Sequence, residues 1–134
     1  MKQSSVFLSA VWLMAVSSAS FAQTNFDFGK NEYAASCASC HGVSAKGDGA
    51  VRPFLTKTPS DLTTLAKRHG GVFPVQYAWE VIDGRSSAAI GAHGAREMPV
   101  WGYIYRAEDT QPADLHARNR ISSLLDYLAR IQVK

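Results

Sequence analysis

The sequence reads as an all-α domain of about four or five short helices, and three observations point there. Apolar side chains recur at i, i+3, i+4 and i+7 in Val75, Ala78, Trp79 and Ile82. They recur again in Leu115, Ile121, Leu124, Leu125, Leu128 and Ile131, which is the period of a helix with one buried face. No alternating apolar–polar run marks a strand, and no internal repeat is visible. Glycines and prolines cluster between the periodic stretches, over 42–49, at 53, over 70–74 and over 91–102, so the helices are joined by turns and loops. The 134 residues suit one domain rather than two.

Residues 1–22 have the form of a secretory signal, which leaves a domain of 23–134. Lys2 gives a positive start, and 6–16 is an apolar run broken only by Ser9. Ser20-Phe21-Ala22 places small residues at the two positions a signal peptidase reads, so the expected mature chain starts at Gln23. The other reading is an uncleaved anchor, but the run is shorter than the ~20 apolar residues a spanning helix needs. No later stretch could span a bilayer, so no stable membrane insertion is expected after cleavage. Removing Lys2 lowers the formal charge of +3 by one. No basic run suggests nucleic acid.

The first helix is expected over about 26–38, capped by Thr24 or Asn25 with Asp27 in its first turn. Phe26, Gly29 and Tyr33 share a face. Glycine inside a helix costs about 1 kcal/mol against alanine, and it makes sense where another helix crosses at close range. The helix runs into Cys37-Ala38-Ser39-Cys40-His41. C-x-x-C-H is the attachment signature of a c-type haem. Two thiols at that spacing reach the two vinyl groups of one porphyrin, and the adjacent imidazole ligates the iron. A zinc knuckle would need a second ligand pair, whereas the chain has only two cysteines. A thioredoxin-like pair would follow a strand, whereas 31–36 reads as helix. Exported thiols could also form a disulfide, but one across two residues would brace little.

Residues 42–57 read as a loop. Within it, the Pro53 carbonyl is a candidate acceptor for the His41 Nδ1–H, a bond that orients a ligating ring and raises its basicity. Thr58-Pro59-Ser60-Asp61 opens a short helix with Leu62 and Leu65 inward, and Gly70-Gly71 stops it. Phe73-Pro74 opens the next, and Gly84 ends it. Trp79 reads as core. Residues 85–105 read as loop. Among them Met98 is the only methionine outside 1–22. It lies on no periodic apolar face, where core methionines usually sit, and its thioether is a soft ligand suited to haem iron. His69, His93 and His116 are the rival sixth ligands, with His93 the nearest in sequence. The last helix is expected over 113–132, capped by Thr110 or Asp114, with His116, Arg118, Arg120, Asp126 and Arg130 in solvent.

Taken together, the chain resembles the class I (monohaem) cytochrome c family. The resemblance rests on Gly29 and Tyr33 in the first helix, the Cys37–His41 motif, and Pro53 with Leu55. Met98-Pro99-Val100-Trp101-Gly102 and Leu124-Leu125-Asp126-Tyr127-Leu128 complete it. It implies the cytochrome c fold around one covalent haem c, attached through Cys37 and Cys40, with His41 and Met98 as axial iron ligands. It raises Pro53 as the partner of His41, and it implies that Gly29 and Tyr33 meet Leu124, Tyr127 and Leu128. Gly70-Gly71-Val72-Phe73-Pro74 and Ile82-Asp83-Gly84-Arg85 look like a proteobacterial branch, and the lysine ring of the mitochondrial carrier is not evident. Residues 103–113 look like a surface link particular to that branch. Haem attachment of this type implies the periplasm.

The expected function is periplasmic transfer of single electrons with redox partner proteins, a dehydrogenase or a terminal oxidase. With both axial positions filled, iron offers no open site for substrate, so no enzyme activity is expected. A dedicated haem subunit of a larger dehydrogenase or oxidase complex, and a haem sensor or gas-binding protein, are the alternatives.

Overall fold

The computed structural model describes residues 26–85, 97–108 and 112–133. The expected signal at 1–22, the caps Thr24, Asn25 and Thr110, and His93 lie outside them. Six α-helices are present among the described residues: α1 (Phe28–Ser36), α2 (Ala38–His41), α3 (Leu65–Arg68), α4 (Val75–Asp83), α5 (Trp101–Ala107) and α6 (Ala113–Arg130). Two 3-10 turns, Arg52–Phe54 and Leu62–Thr64, complete the set, and there is no strand among the described residues.

The count exceeds four or five for two local reasons. The first helix breaks at Cys37, whose N–H still bonds the Tyr33 carbonyl but whose backbone turns away, so the motif occupies its own helical turn. And α5 forms where 85–105 reads as loop. Pro99 and Gly102 look like breakers, yet Pro99 precedes the helix and Gly102 lies in its first turn, buried against Asp83. Burial of Tyr105, which is 0% exposed, holds α5 in place of intrinsic propensity.

α1 starts at Asp27, whose carboxylate accepts the Lys30 N–H at 3.0 Å and the Arg130 guanidinium at 2.5 Å. This N-cap replaces the expected one and ties the start of α1 to the end of α6. Between these points the two helices nearly touch. A Cβ on Gly29 would lie 2.0 Å from the Ser123 carbonyl oxygen and 2.8 Å from Tyr127 Cβ. Tyr33 packs its ring 5.2 Å from that of Tyr127 and donates its hydroxyl to the Gly42 carbonyl at 2.6 Å.

α6 buries Ala117, Ile121, Leu124, Leu125 and Leu128. Leu115, expected on that face, is exposed. It precedes Ile121 by six residues, which rotates it about 120° away. Arg120, expected in solvent, is half-buried. Its Nε and Nη2 each donate to Glu32 at 2.9 Å, its guanidinium lies 4.0 Å over the Tyr105 ring, and it also pairs with Glu108. Ser36 and Tyr105 donate to the same Glu32 oxygen, each at 2.7 Å. Glu32 therefore binds α1, α5 and α6 together. A second buried acid, Asp83 of α4, accepts from Arg106 of α5 at 2.8 Å and pairs with Arg85, and Arg106 reaches on to Asp114 of α6. At the C-terminus the Gln132 side chain accepts from the Ala66 N–H and donates to the Leu62 and Leu128 carbonyls, closing the α3 segment onto α6.

Gly29→Ala should force the two helices apart and destabilise the protein by about 1–3 kcal/mol, the usual cost of overpacking; a lower urea midpoint would show it. Glu32 yields a pH prediction. Burial works to raise its carboxyl, but the bonds from Arg120, Ser36 and Tyr105 outweigh it and hold it below the ordinary value of 4.5. Its stabilising contribution is therefore present above that value and is lost as pH falls through the lower folded one. Glu32→Gln should lower neutral-pH stability by about 1–3 kcal/mol and flatten the acid limb. Thermal melts across the acid range check both.

Candidate functional site

The turn between α1 and α2 presents the motif to a cavity of about 350 Å³, within the range of small-molecule and cofactor sites. Cys37, Cys40 and His41 line it, as do Met98, Pro99 and Trp101. Leu124 and Leu128 of α6 and Ala78 and Ile82 of α4 supply apolar wall. Lys57, Arg68, His69 and Tyr77 bring polar groups to the same lining. The α1–α6 crossing decides this arrangement, because it sets the motif against the buried stripe of α6.

Both cysteines are free thiols. Cys37 is buried, and burial, with smaller effects of Glu32 and Cys40, pushes its thiol up to about 12. That setting disfavours the free thiolate that redox-pair chemistry needs. A thioether sulfur carries no charge and suits it. Among the described residues no group of three or more His, Cys, Asp and Glu side chains is placed to hold a metal ion.

His41 Nδ1 lies 3.0 Å from the Ser60 carbonyl oxygen. With the proton on Nδ1, Nε2 carries the lone pair that can ligate iron. Here the Pro53 expectation is corrected. Pro53 sits in the exposed 3-10 turn Arg52–Phe54, and the carbonyl that reaches the ring comes seven residues later. The 59–62 segment is held tightly against the loop after His41. Leu62 N–H donates to Ala45 at 2.8 Å and Gly47 N–H to His41 at 2.8 Å. A Cβ on Gly47, which has φ +81°, would lie 2.1 Å from the Pro59 carbonyl oxygen. Sequence spacing did not expose Ser60, because the loop folds back on itself before meeting the ring.

Met98, in the same lining, follows Glu97, whose two carboxylate oxygens accept the Thr56 and Lys57 N–H groups at 2.8 and 3.1 Å. The Thr56 side chain first, and then those two N–H groups, hold the Glu97 carboxyl below its ordinary value. Of the rival histidines, His69 lines the cavity, with Nδ1 2.9 Å from the Leu65 carbonyl. His116 lies on α6 and is not part of the lining.

The family model for cytochrome c matches residues 26–117. The chain belongs to the cytochrome c family. No curated protein and no solved structure matches it. The all-α arrangement is accordingly the cytochrome c fold, and the cofactor is haem c, bound covalently. The cavity fits that group, with paired thiols, an oriented imidazole and apolar lining for a flat macrocycle. Cys37 and Cys40 would hold it through thioether bonds, and His41, its Nδ1 at the Ser60 carbonyl, would supply the ligand nitrogen. Bound haem supplies this cytochrome with one-electron exchange at its iron.

The Ser60 bond is testable through Gly47. Gly47→Ala drives a methyl group into Pro59 and displaces Ser60, so the His41 Nδ1–H should exchange faster by proton NMR of the reduced holoprotein. The imidazole becomes less electron-rich and supports ferric iron less, so the reduction potential should rise. Unchanged exchange would place the control of the ring elsewhere.

Proposed function

We propose that this cytochrome is a class I monohaem electron carrier of a proteobacterial type, working in the periplasm with His41 and Met98 as axial ligands. The observation that carries the reading is the presence of Met98 in the same cavity lining as Cys37, Cys40 and His41. It is the only thioether of residues 23–134, and a methionine opposite a histidine raises the potential of a c-type haem. His69 is the rival that shares the cavity.

Two protein ligands leave no coordination position for a substrate, so the protein's part is to fix the macrocycle and keep its ligands in place through both oxidation states. Rigid support matters because any ligand motion on electron transfer would add to the barrier. The His41–Ser60 bond and the packing of Leu124 and Leu128 supply that support. By class, the redox partner proposed for it is a dehydrogenase or a terminal oxidase. Residues 1–22 have the pattern for export, and no helix among the described residues is long and apolar enough to cross a membrane. Val43 and Phe54, in the loop after His41, are 90% and 85% exposed, which favours a second reading as the haem subunit of a larger oxidoreductase. A partner that co-purifies through gel filtration distinguishes it from a freely diffusing carrier.

Ferric wild-type holoprotein should show the weak red-end charge-transfer band of a methionine–iron bond. Met98→Ala should abolish the band, lower the potential and open the iron to small ligands, while His69→Ala should leave the band intact. A bis-histidine spectrum in the wild type would remove Met98 from the assignment.

A further inference from the structure

Residues 97–100 belong to no helix, yet they include the proposed distal ligand. From Trp101 onward the chain is held by α5, with Tyr103 and Ile104 N–H both bonded to the Val100 carbonyl. On the other side of Met98 the chain is held by Glu97. Its Oε1 accepts from Thr56 N–H at 2.8 Å and its Oε2 from Lys57 N–H at 3.1 Å. Two consecutive backbone N–H groups form a small anion-binding concavity. One donor on each oxygen fixes the plane of the carboxylate, and with it the Cα that lies about 3.8 Å from that of Met98.

The far end of this clasp is itself anchored. Thr56 and Lys57 lead through Thr58 and Pro59 to Ser60, the partner of His41 Nδ1. Leu62 N–H bonds Ala45, and Pro59 lies against Gly47. One carboxylate therefore joins the segment of the distal ligand to the segment that orients the proximal one, across a sequence separation of about forty residues. The side chains of Lys57, Thr58 and Pro59 line the same cavity as Met98.

We propose that Glu97 is a positioning residue for the axial methionine, clasping the Met98 segment to the Thr56–Lys57 backbone so that the thioether is held at the iron. This rests on the reading of Met98 as the distal ligand. Loss of the clasp removes the Glu97 tether beside Met98, so the methionine sulfur competes less well with an external ligand. Glutamine retains one carbonyl oxygen but turns an NH₂ toward the second donor, and so supplies half of the clasp. Alanine supplies none.

The test uses ferric holoprotein titrated with imidazole, which competes with the thioether for iron. Glu97→Ala should bind imidazole about tenfold more tightly than wild type, from the loss of hydrogen bonds to a charged acceptor, and its red-end charge-transfer band should weaken. Glu97→Gln should fall between the two. Asp27→Ala removes a carboxylate of similar exposure from the far end of α1; it should lower the melting temperature yet leave imidazole affinity at the wild-type value. Should Glu97→Ala fail to accumulate as holoprotein, the Glu97→Gln titration decides. Wild-type affinity and a full band in the Glu97 variants would overturn the proposal, as would an equal gain of affinity in Asp27→Ala. If wild type itself lacks the band, the Met98 assignment has failed and this role for Glu97 fails with it. If wild type has the band and the Glu97 variants keep it unchanged, only the clasp has failed.

Discussion

At Gly29 the backbone of α1 lies against that of α6 with no room for a side chain, since even a methyl group would sit 2.0 Å from the Ser123 carbonyl oxygen. Much of the molecule is placed relative to this contact. It brings Tyr33 onto Tyr127, and Tyr33 in turn holds Gly42 at the end of the haem motif. It also brings Cys37 and Cys40 into one cavity lining with Leu124 and Leu128. A wider crossing would move the attachment sulfurs away from the apolar wall that the macrocycle packs on. Glycine's poor helix propensity is thus offset by packing that no other residue permits.

Charge secures what the crossing positions. Glu32 lies on the same helix as Gly29 and takes bonds from Arg120, Tyr105 and Ser36. Leaving any of these partners without an acceptor in so enclosed a place would be costly. Asp83 and Arg106 do the same between α4 and α5. Together they hold α5, a helix of seven residues that is too short to persist alone. Since α5 begins three residues after Met98, these ion pairs bear on the geometry of the proposed distal ligand as well as on stability.

His41 and Met98 are supported by different means. His41 lies at the end of a helical turn and is oriented by a carbonyl, Ser60, whose segment is packed against Gly47. Met98 lies on irregular backbone and depends on what flanks it, the start of α5 and the Glu97 carboxylate. A carrier that changes iron charge repeatedly gains from supports that do not rearrange. Backbone-to-carbonyl and backbone-to-carboxylate bonds meet that need better than long side chains in solvent, which have more conformational freedom to lose.

Local pattern determined a large part of this protein. The Cys37–His41 motif names its cofactor because that spacing is the chemistry itself. Ala78–Ile82 and the 121–131 stripe declare their helices because burial of one face imposes the period, although Val75, expected on the first of these faces, is exposed. Gly29 stood out because glycine inside a helix needs a reason. What lay beyond local pattern was decided by contacts between distant segments. The partner of His41 is Ser60 and not Pro53, since a loop's return path is set by where it packs and not by a count of residues. Arg120 is drawn out of solvent by Glu32, which lies on another helix. And α5 exists despite Pro99 and Gly102, because Tyr105 has a buried place and Arg106 a buried acid to meet. These are tertiary choices, in which the free energy comes from a neighbour far along the chain, and such a neighbour leaves no mark on the residues at hand.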